Sequence, residues 1–246
     1  MPPGFQNRTA AGQQLSSRLM HLKVQAPVVL ALPRGGVPVA FEVARALAAP
    51  LDLVMVRKIG APWQPELAVA AVVDGEDPQI VENPDVMAML HLSEDLIKKE
   101  AARELKEIER RRGLYLSGRT RIPLKGRIVI LVDDGIATGA TARAAMKAVR
   151  KAGAEGVVLA VPVAPPETVA ALRPDADEVV CLLQPAFFGG ISQFYADFHQ
   201  VDDDEVIDLL NRAAAFGAEE PQLSGPSDAQ VESGTPKPKR IEEPLT

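Results

Sequence analysis

Short, unbroken apolar runs alternate along this chain with stretches of helical period. The runs are VVLAL at 28–32, then residues 51–56, 68–73, 128–132, 157–163 and 178–183. Between them, Leu15, Leu19 and Leu22 fall at helical spacing, and residues 37–48 return to it after the break Pro33-Arg34-Gly35-Gly36. An alanine-rich helix follows the fourth run and reaches about Lys151. Another opens near Pro165-Pro166-Glu167, and Val206, Leu209, Leu210 and Ala213 mark a last one after residues 202–205. Apolar strands alternating with helices predict an α/β fold, a parallel sheet of about five strands covered on both faces. In such sheets ligands bind at the carboxyl ends of the strands, so chemistry is expected just after the runs.

Residues 93–116, SEDLIKKEAARELKEIERRRGLYL, break the rhythm with a long charged helix. Ser93 is placed to cap it and Gly113 lies near its end. Glu94–Lys98, Asp95–Lys99 and Glu107–Arg111 are favourable pairs four residues apart. Ile97, Ala101, Leu105 and Ile108 form one narrow stripe. Such a helix docks one edge on the body, or joins two copies in a homodimer. Its seven bases alternate with six acids, which does not make a nucleic-acid patch.

Residues 217–246 are rich in Pro, Gly, Ser and Glu without apolar spacing, too little to offset the entropy of ordering, and are expected to be a disordered tail. The expected folded unit is therefore residues 1–216. Across the 246 residues, 27 Lys+Arg against 33 Asp+Glu give a net charge of −6, which argues against a general nucleic-acid or membrane-surface binder. One cysteine, Cys181, permits no internal disulfide, and His21, His91 and His199 make no zinc pattern. No run approaches a membrane span and no secretory signal is read, so a cytoplasmic protein is expected. Aromatic residues are few, yet six of the ten lie between Phe187 and Phe216.

The sharpest chemical signal is RIVILVDDGIATGATARAA at 127–145. A buried strand ends in two acids, Asp133 and Asp134, and a turn of small and hydroxyl residues leads straight into a helix. Gly139 allows close backbone approach, N–H groups converge at the helix start, and Thr138 and Thr141 add hydroxyls, a setting for phosphate. No lysine precedes Thr141, so this is not a Walker A loop. Paired acids suit sugar hydroxyls or a magnesium ion. A phosphate cradle beside a diol clamp describes a ribose 5-phosphate site. Arg57 and Lys58, directly after the second run, are expected at another strand's carboxyl end, where they suit pyrophosphate.

LVDDGIATGAT at 131–141 resembles the phosphoribosyl-pyrophosphate (PRPP) motif of the type I phosphoribosyltransferases. The resemblance implies that Asp133 and Asp134 face the ribose hydroxyls, with Mg2+ held partly through PRPP, and that Ala137, Thr138, Gly139, Ala140 and Thr141 wrap the 5-phosphate. It implies that Arg34, Gly35 and Gly36 form the pyrophosphate loop, with a cis peptide expected at Arg34–Gly35. It makes residues 60–66, GAPWQPE, the mobile loop that closes the site, with Glu66 a candidate acid. It places a small hood near residues 181–200, where Phe187, Phe188 and Tyr195 would stack on the acceptor base.

Two departures bear on that acceptor. Position 137 is alanine, where 6-oxopurine members carry an aspartate, and no lysine stands between Cys181 and Phe198. The expected activity is transfer of 5-phosphoribose from PRPP to a nitrogenous base, in nucleotide metabolism and salvage. The alternatives are a regulator that senses PRPP or a nucleotide in the same pocket without turnover, and a sugar-phosphate hydrolase.

Overall fold

The computed structural model describes residues 4–216 apart from positions 62, 76 and 91, with positions 65, 66, 84 and 85 given by backbone alone. The expected tail at 217–246 and the side chain of Glu66 lie outside the described residues.

The chain opens with α1 (Arg8–Leu19), capped by Asn7, whose side chain accepts from Ala10 N at 2.9 Å, and a 3-10 turn (Met20–Gln25). Then come β1 (Val28–Ala31), α2 (Gly36–Leu47), β2 (Leu51–Leu53), β3 (Val56–Ala61), β4 (Gln64–Val73), β5 (Gln79–Glu82), α3 (Pro84–Leu90) and α4 (Glu94–Tyr115). The second half holds β6 (Ile128–Val132), α5 (Ala140–Lys151), β7 (Gly156–Val163), α6 (Pro166–Leu172), β8 (Glu178–Leu183) and α7 (Asp203–Ala213).

Five strands form a parallel sheet in the order β2-β1-β6-β7-β8. Because side chains alternate along a strand, an unbroken apolar run supplies two faces at once. Val29, Ala31, Ile130, Val132, Val158 and Ala160 face the layer that holds α1, α2 and α7. Val28, Leu30, Val129, Leu131, Val157 and Leu159 face α5 and α6. Helices cover both faces, and β1 and β6 are neighbours at the centre of the sheet, with Leu30 opposite Leu131.

The run at 68–73 is not a parallel strand. It belongs to β4, the centre of a separate antiparallel sheet β3-β4-β5. Only two positions separate Ala61 from Gln64, too few for the crossover of a dozen or more residues that parallel pairing needs. The segment expected to be a loop at 60–66 is therefore largely the end of this hairpin, with Trp63 exposed at its tip. This sheet packs against both α4 and α5.

The charged helix docks as its stripe predicts, with Ile97, Ala101 and Ile108 buried and Ser93 accepting from Leu96 N at 3.4 Å. It runs past Gly113 to Tyr115, which is also buried. Beyond β8 the chain turns through Ile191–Phe194 and pairs with the N-terminal segment. Phe5 N donates to Phe194 O at 2.9 Å, and Ala196 N donates to Phe5 O at 2.9 Å. Phe5 thus shares the cover at 181–200. Among the described residues no helix is long and apolar enough to cross a membrane.

Candidate functional site

β6 delivers two adjacent acids to the open end of the sheet, and their surroundings differ. Asp134 is buried and accepts from Arg8 Nε at 2.8 Å. Arg8 is buried too. Its Nη1 donates to His199 O at 2.7 Å and its guanidinium lies 3.8 Å from the centre of the Phe198 ring. Asp133 faces no such cation; Asp134 N donates to its Oδ1 at 2.9 Å. Burial, and then the charge of Asp134, push Asp133 well above the usual carboxylate range. The acid without a cation is the one poised to gain from a hydroxyl donor or a divalent cation.

The turn that follows is held from behind and open in front. Ile136 N donates to Val163 O at 2.9 Å, and Thr168 Oγ1 donates to Ala137 O at 2.7 Å. Ala137, Thr138 and Ala140 are exposed. Gly139 takes φ +79°, and a Cβ there would stand 3.0 Å from the Leu172 side chain, so both conformation and space select glycine. No side chain caps α5, which leaves its first-turn N–H groups for an anion.

The loop after β1 presses against these acids. Leu32 N donates to Val132 O at 2.9 Å, tying the two strand ends together. A Cβ on Gly35 would collide with the Asp134 carboxylate, and one on Gly36 would lie 2.7 Å from Val132 O. The cis peptide is at Pro33–Arg34, one bond earlier than the resemblance implied. Arg34 Nη1 donates to Asp203 Oδ1 at 3.4 Å, and Tyr115 OH donates to the same oxygen at 2.6 Å. Burial, then that hydrogen bond, push the Tyr115 hydroxyl up to about 12, while the same bond holds Asp203 below its ordinary value. Arg8, Arg34, Gly35, Asp134 and residues 198–201 line a cleft of about 380 Å3.

Arg57 and Lys58 do not sit at a strand's carboxyl end. They lie inside β3, opposite Val72 and Ala71, and adjacent strand residues point to opposite faces. Arg57 Nε donates to Glu104 Oε2 on α4 at 2.7 Å. Lys58 faces the other way, into a cleft of about 280 Å3 that it shares with Ala140, Arg143 and Lys147 on α5. Only Lys58 is beside the helix that starts at the phosphate-type turn.

The aromatic residues also separate. Phe187 is almost fully exposed, and Phe188 stacks on Phe194 with centroids 5.5 Å apart. Tyr195, expected to stack on a base, is buried instead. Its ring packs between Phe5 and Phe198, and its hydroxyl donates to Asp134 O at 2.6 Å. Arg8, Tyr115 and Asp203 were not foreseen. One signal existed for Arg8: it begins α1, where a cation opposes the helix dipole and needs a nearby acid. Among the described residues no group of three acids, histidines or cysteines could hold a metal by protein atoms alone.

A family model described as the phosphoribosyl transferase domain matches residues 6–199. Two curated proteins of Mycobacterium tuberculosis, each named as a putative phosphoribosyl transferase, are 50% identical over 224 residues. The match covers 91% of this chain but 50% of theirs, so the chain spans about half the length of these relatives. The crystal structure of TT1426 from Thermus thermophilus is similar with a TM-score of 0.76 and 44% identity, over 85% of this chain and 99% of that one.

Proposed function

The chain belongs to the phosphoribosyltransferase family, and on that premise we propose that it moves 5-phosphoribose from PRPP to a nitrogenous base and releases pyrophosphate. The observation that carries this reading is the contact between the two loops. Gly35 lies so close to Asp134 that the anion-binding loop after β1 and the acids after β6 form one continuous surface.

In this reading the N–H groups and hydroxyls at Thr138, Gly139, Ala140 and Thr141 hold the 5-phosphate. Asp133 accepts from the ribose hydroxyls, with Asp134 fixed behind it by Arg8. Arg34 and the backbone of Gly35 and Gly36 take the pyrophosphate, and Lys58 reaches it from the hairpin side. Arg57, held by Glu104, has no part. Mg2+ fits Asp133, a hard oxygen donor without a cation, since that ion is commonly held by one or two carboxylates and substrate phosphates. When bound, it shares the charge of the departing pyrophosphate.

The C1–O bond of PRPP breaks, its electron pair leaves with pyrophosphate, and the acceptor nitrogen donates its lone pair to C1. Positive charge builds on the sugar ring in between, as in glycoside cleavage, and the uncompensated acid Asp133 stabilises it. Ala137 offers no proton acceptor, which favours a base that attacks through a free lone pair. Phe187 and Phe188, on the cover beyond β8, offer faces for a planar ring.

The test is pyrophosphate release from PRPP–Mg2+ against a panel of purine and pyrimidine bases. Base-dependent release, lost in Asp133→Asn, is expected. PRPP binding with no release for any base would favour a sensor, and release without a base would favour a hydrolase.

A further inference from the structure

A second cavity lies at the far end of α5. The helix starts at the phosphate-type turn and ends beneath the loop at 121–125, so about 16 Å of helix separates the two places. The cavity holds about 260 Å3 and shares no lining residue with the cleft around Asp134. Its lining includes Leu30, Val54, Ile122, Leu124 and Val149.

One wall is ionic but already balanced. Arg112 Nη2 donates to the two oxygens of Asp52 at 3.0 and 3.1 Å, and its Nη1 donates to Asp74 Oδ2 at 3.0 Å. Arg121 Nη1 donates to that same Asp74 oxygen at 2.8 Å. Ile122 N and Met55 N supply further donors to Asp52 and Asp74, at 3.2 and 2.7 Å. Two acids against two arginines leave this wall without a demand for a counter-ion. Lys125 and Lys151 are exposed residues of the lining, and Asp77, the other acid there, accepts from Gln79 at 2.8 Å.

Ligand sites are concave, mostly apolar and oriented by a few polar groups, and this cleft has those features. Two ammonium groups against the one carboxylate of Asp77 leave a single net positive charge at the rim, and with hydrocarbon walls this matches a flat or branched apolar body that carries one negative group. We propose that this cavity is a second binding site, for a small amphipathic organic anion, distinct from the strand-end cleft.

The probe is 2-naphthoate, titrated calorimetrically into the full chain, with 2-naphthalenemethanol as its neutral analogue. One saturable site is expected for naphthoate, with the alcohol at least tenfold weaker. Lys125→Glu with Lys151→Glu is expected to weaken naphthoate at least tenfold. Ala152→Phe, at an exposed lining position, is expected to fill the cavity and abolish binding. All three substitutions are on the surface, and circular dichroism verifies that the variants are folded. No saturable binding, or binding unchanged by Ala152→Phe, would overturn the site. Binding lost in Ala152→Phe but kept on charge reversal would overturn the anionic class. These variants locate the site whether or not the chain binds PRPP.

Discussion

Arg8 Nε lies 2.8 Å from Asp134 Oδ2, and this contact gives two adjacent acids different surroundings. Asp134 is compensated, tied through Arg8 to the His199 carbonyl and through its own carbonyl to Tyr195. Asp133 is left uncompensated. The first helix, the acids and the cover beyond β8 are thereby one assembly.

Arg8→Met leaves a buried carboxylate without its cation. Breaking a buried pair from one side destabilises by about 3–5 kcal/mol, which at this chain length lowers Tm by roughly 6–20 °C. Thermal unfolding of the ligand-free protein checks this. A loss below about 1 kcal/mol would mean that Arg8 does not compensate Asp134.

Asp133→Asn works in the opposite direction. Its folded-state pKa is raised, so ionised Asp133 weakens the ligand-free fold. The penalty is absent below the unfolded value near 4 and grows as pH rises through the raised folded value. The asparagine variant should therefore be more stable than the parent by about 1 kcal/mol at neutral pH, with the gap closing towards pH 4. Urea unfolding at several pH values reads both the sign and the slope.

Lys58→Ala and Arg57→Ala separate two neighbouring bases. Loss of one charge-assisted contact, about 1.5–3 kcal/mol, predicts PRPP affinity at least tenfold lower for Lys58→Ala. Arg57→Ala should leave affinity unchanged and cost at most about 1 kcal/mol of stability, because its ion pair with Glu104 is partly exposed. Titration calorimetry with PRPP–Mg2+ distinguishes them, and equal losses would contradict the geometry.

Gly35→Ala drives a methyl group into the Asp134 carboxylate. Overpacking of this kind costs about 1–3 kcal/mol, and the displaced loop should also lose PRPP affinity. Stability and binding measured on the same sample verify that both fall together.

His199 titrates above its ordinary value because Glu205, and then Asp197, accept hydrogen bonds from its ring. Both partners act on the protonated form, so their small contribution is fully present below pH 6.5 and is lost as pH rises through the folded value. An NMR titration should place the midpoint above 6.5 in the parent and lower in Glu205→Gln.

The parallel sheet could be read from the sequence because strands buried on both faces leave continuous apolar runs. The same signal misassigned residues 68–73, since the centre of a small antiparallel sheet wedged between α4 and α5 is equally apolar. Connection length carried the answer there. The turn at 135–141 was legible because its chemistry is local. The expectation for Arg57 and Lys58 failed on strand boundaries, as β2 ends at Leu53 and the pair falls inside the next strand. Arg8 and Asp134 are 126 positions apart, and Arg34 and Asp203 are 169 apart, so no periodicity could join them. Tyr195 was legible as an aromatic residue among others, but its inward rotation depends on Phe5 arriving from the opposite end of the chain.

PRPP is expected to occupy the strand-end cleft as one ligand. Thermal unfolding with PRPP–Mg2+, against ribose 5-phosphate and pyrophosphate separately, tests it most directly. At 100 times the dissociation constant the ligand adds about 2.7 kcal/mol, a rise of roughly 5–10 °C. That rise is expected for PRPP–Mg2+, with smaller rises for either fragment at the same concentration and none in Asp133→Asn. No rise with PRPP–Mg2+, or an equal rise in Asp133→Asn, would contradict it.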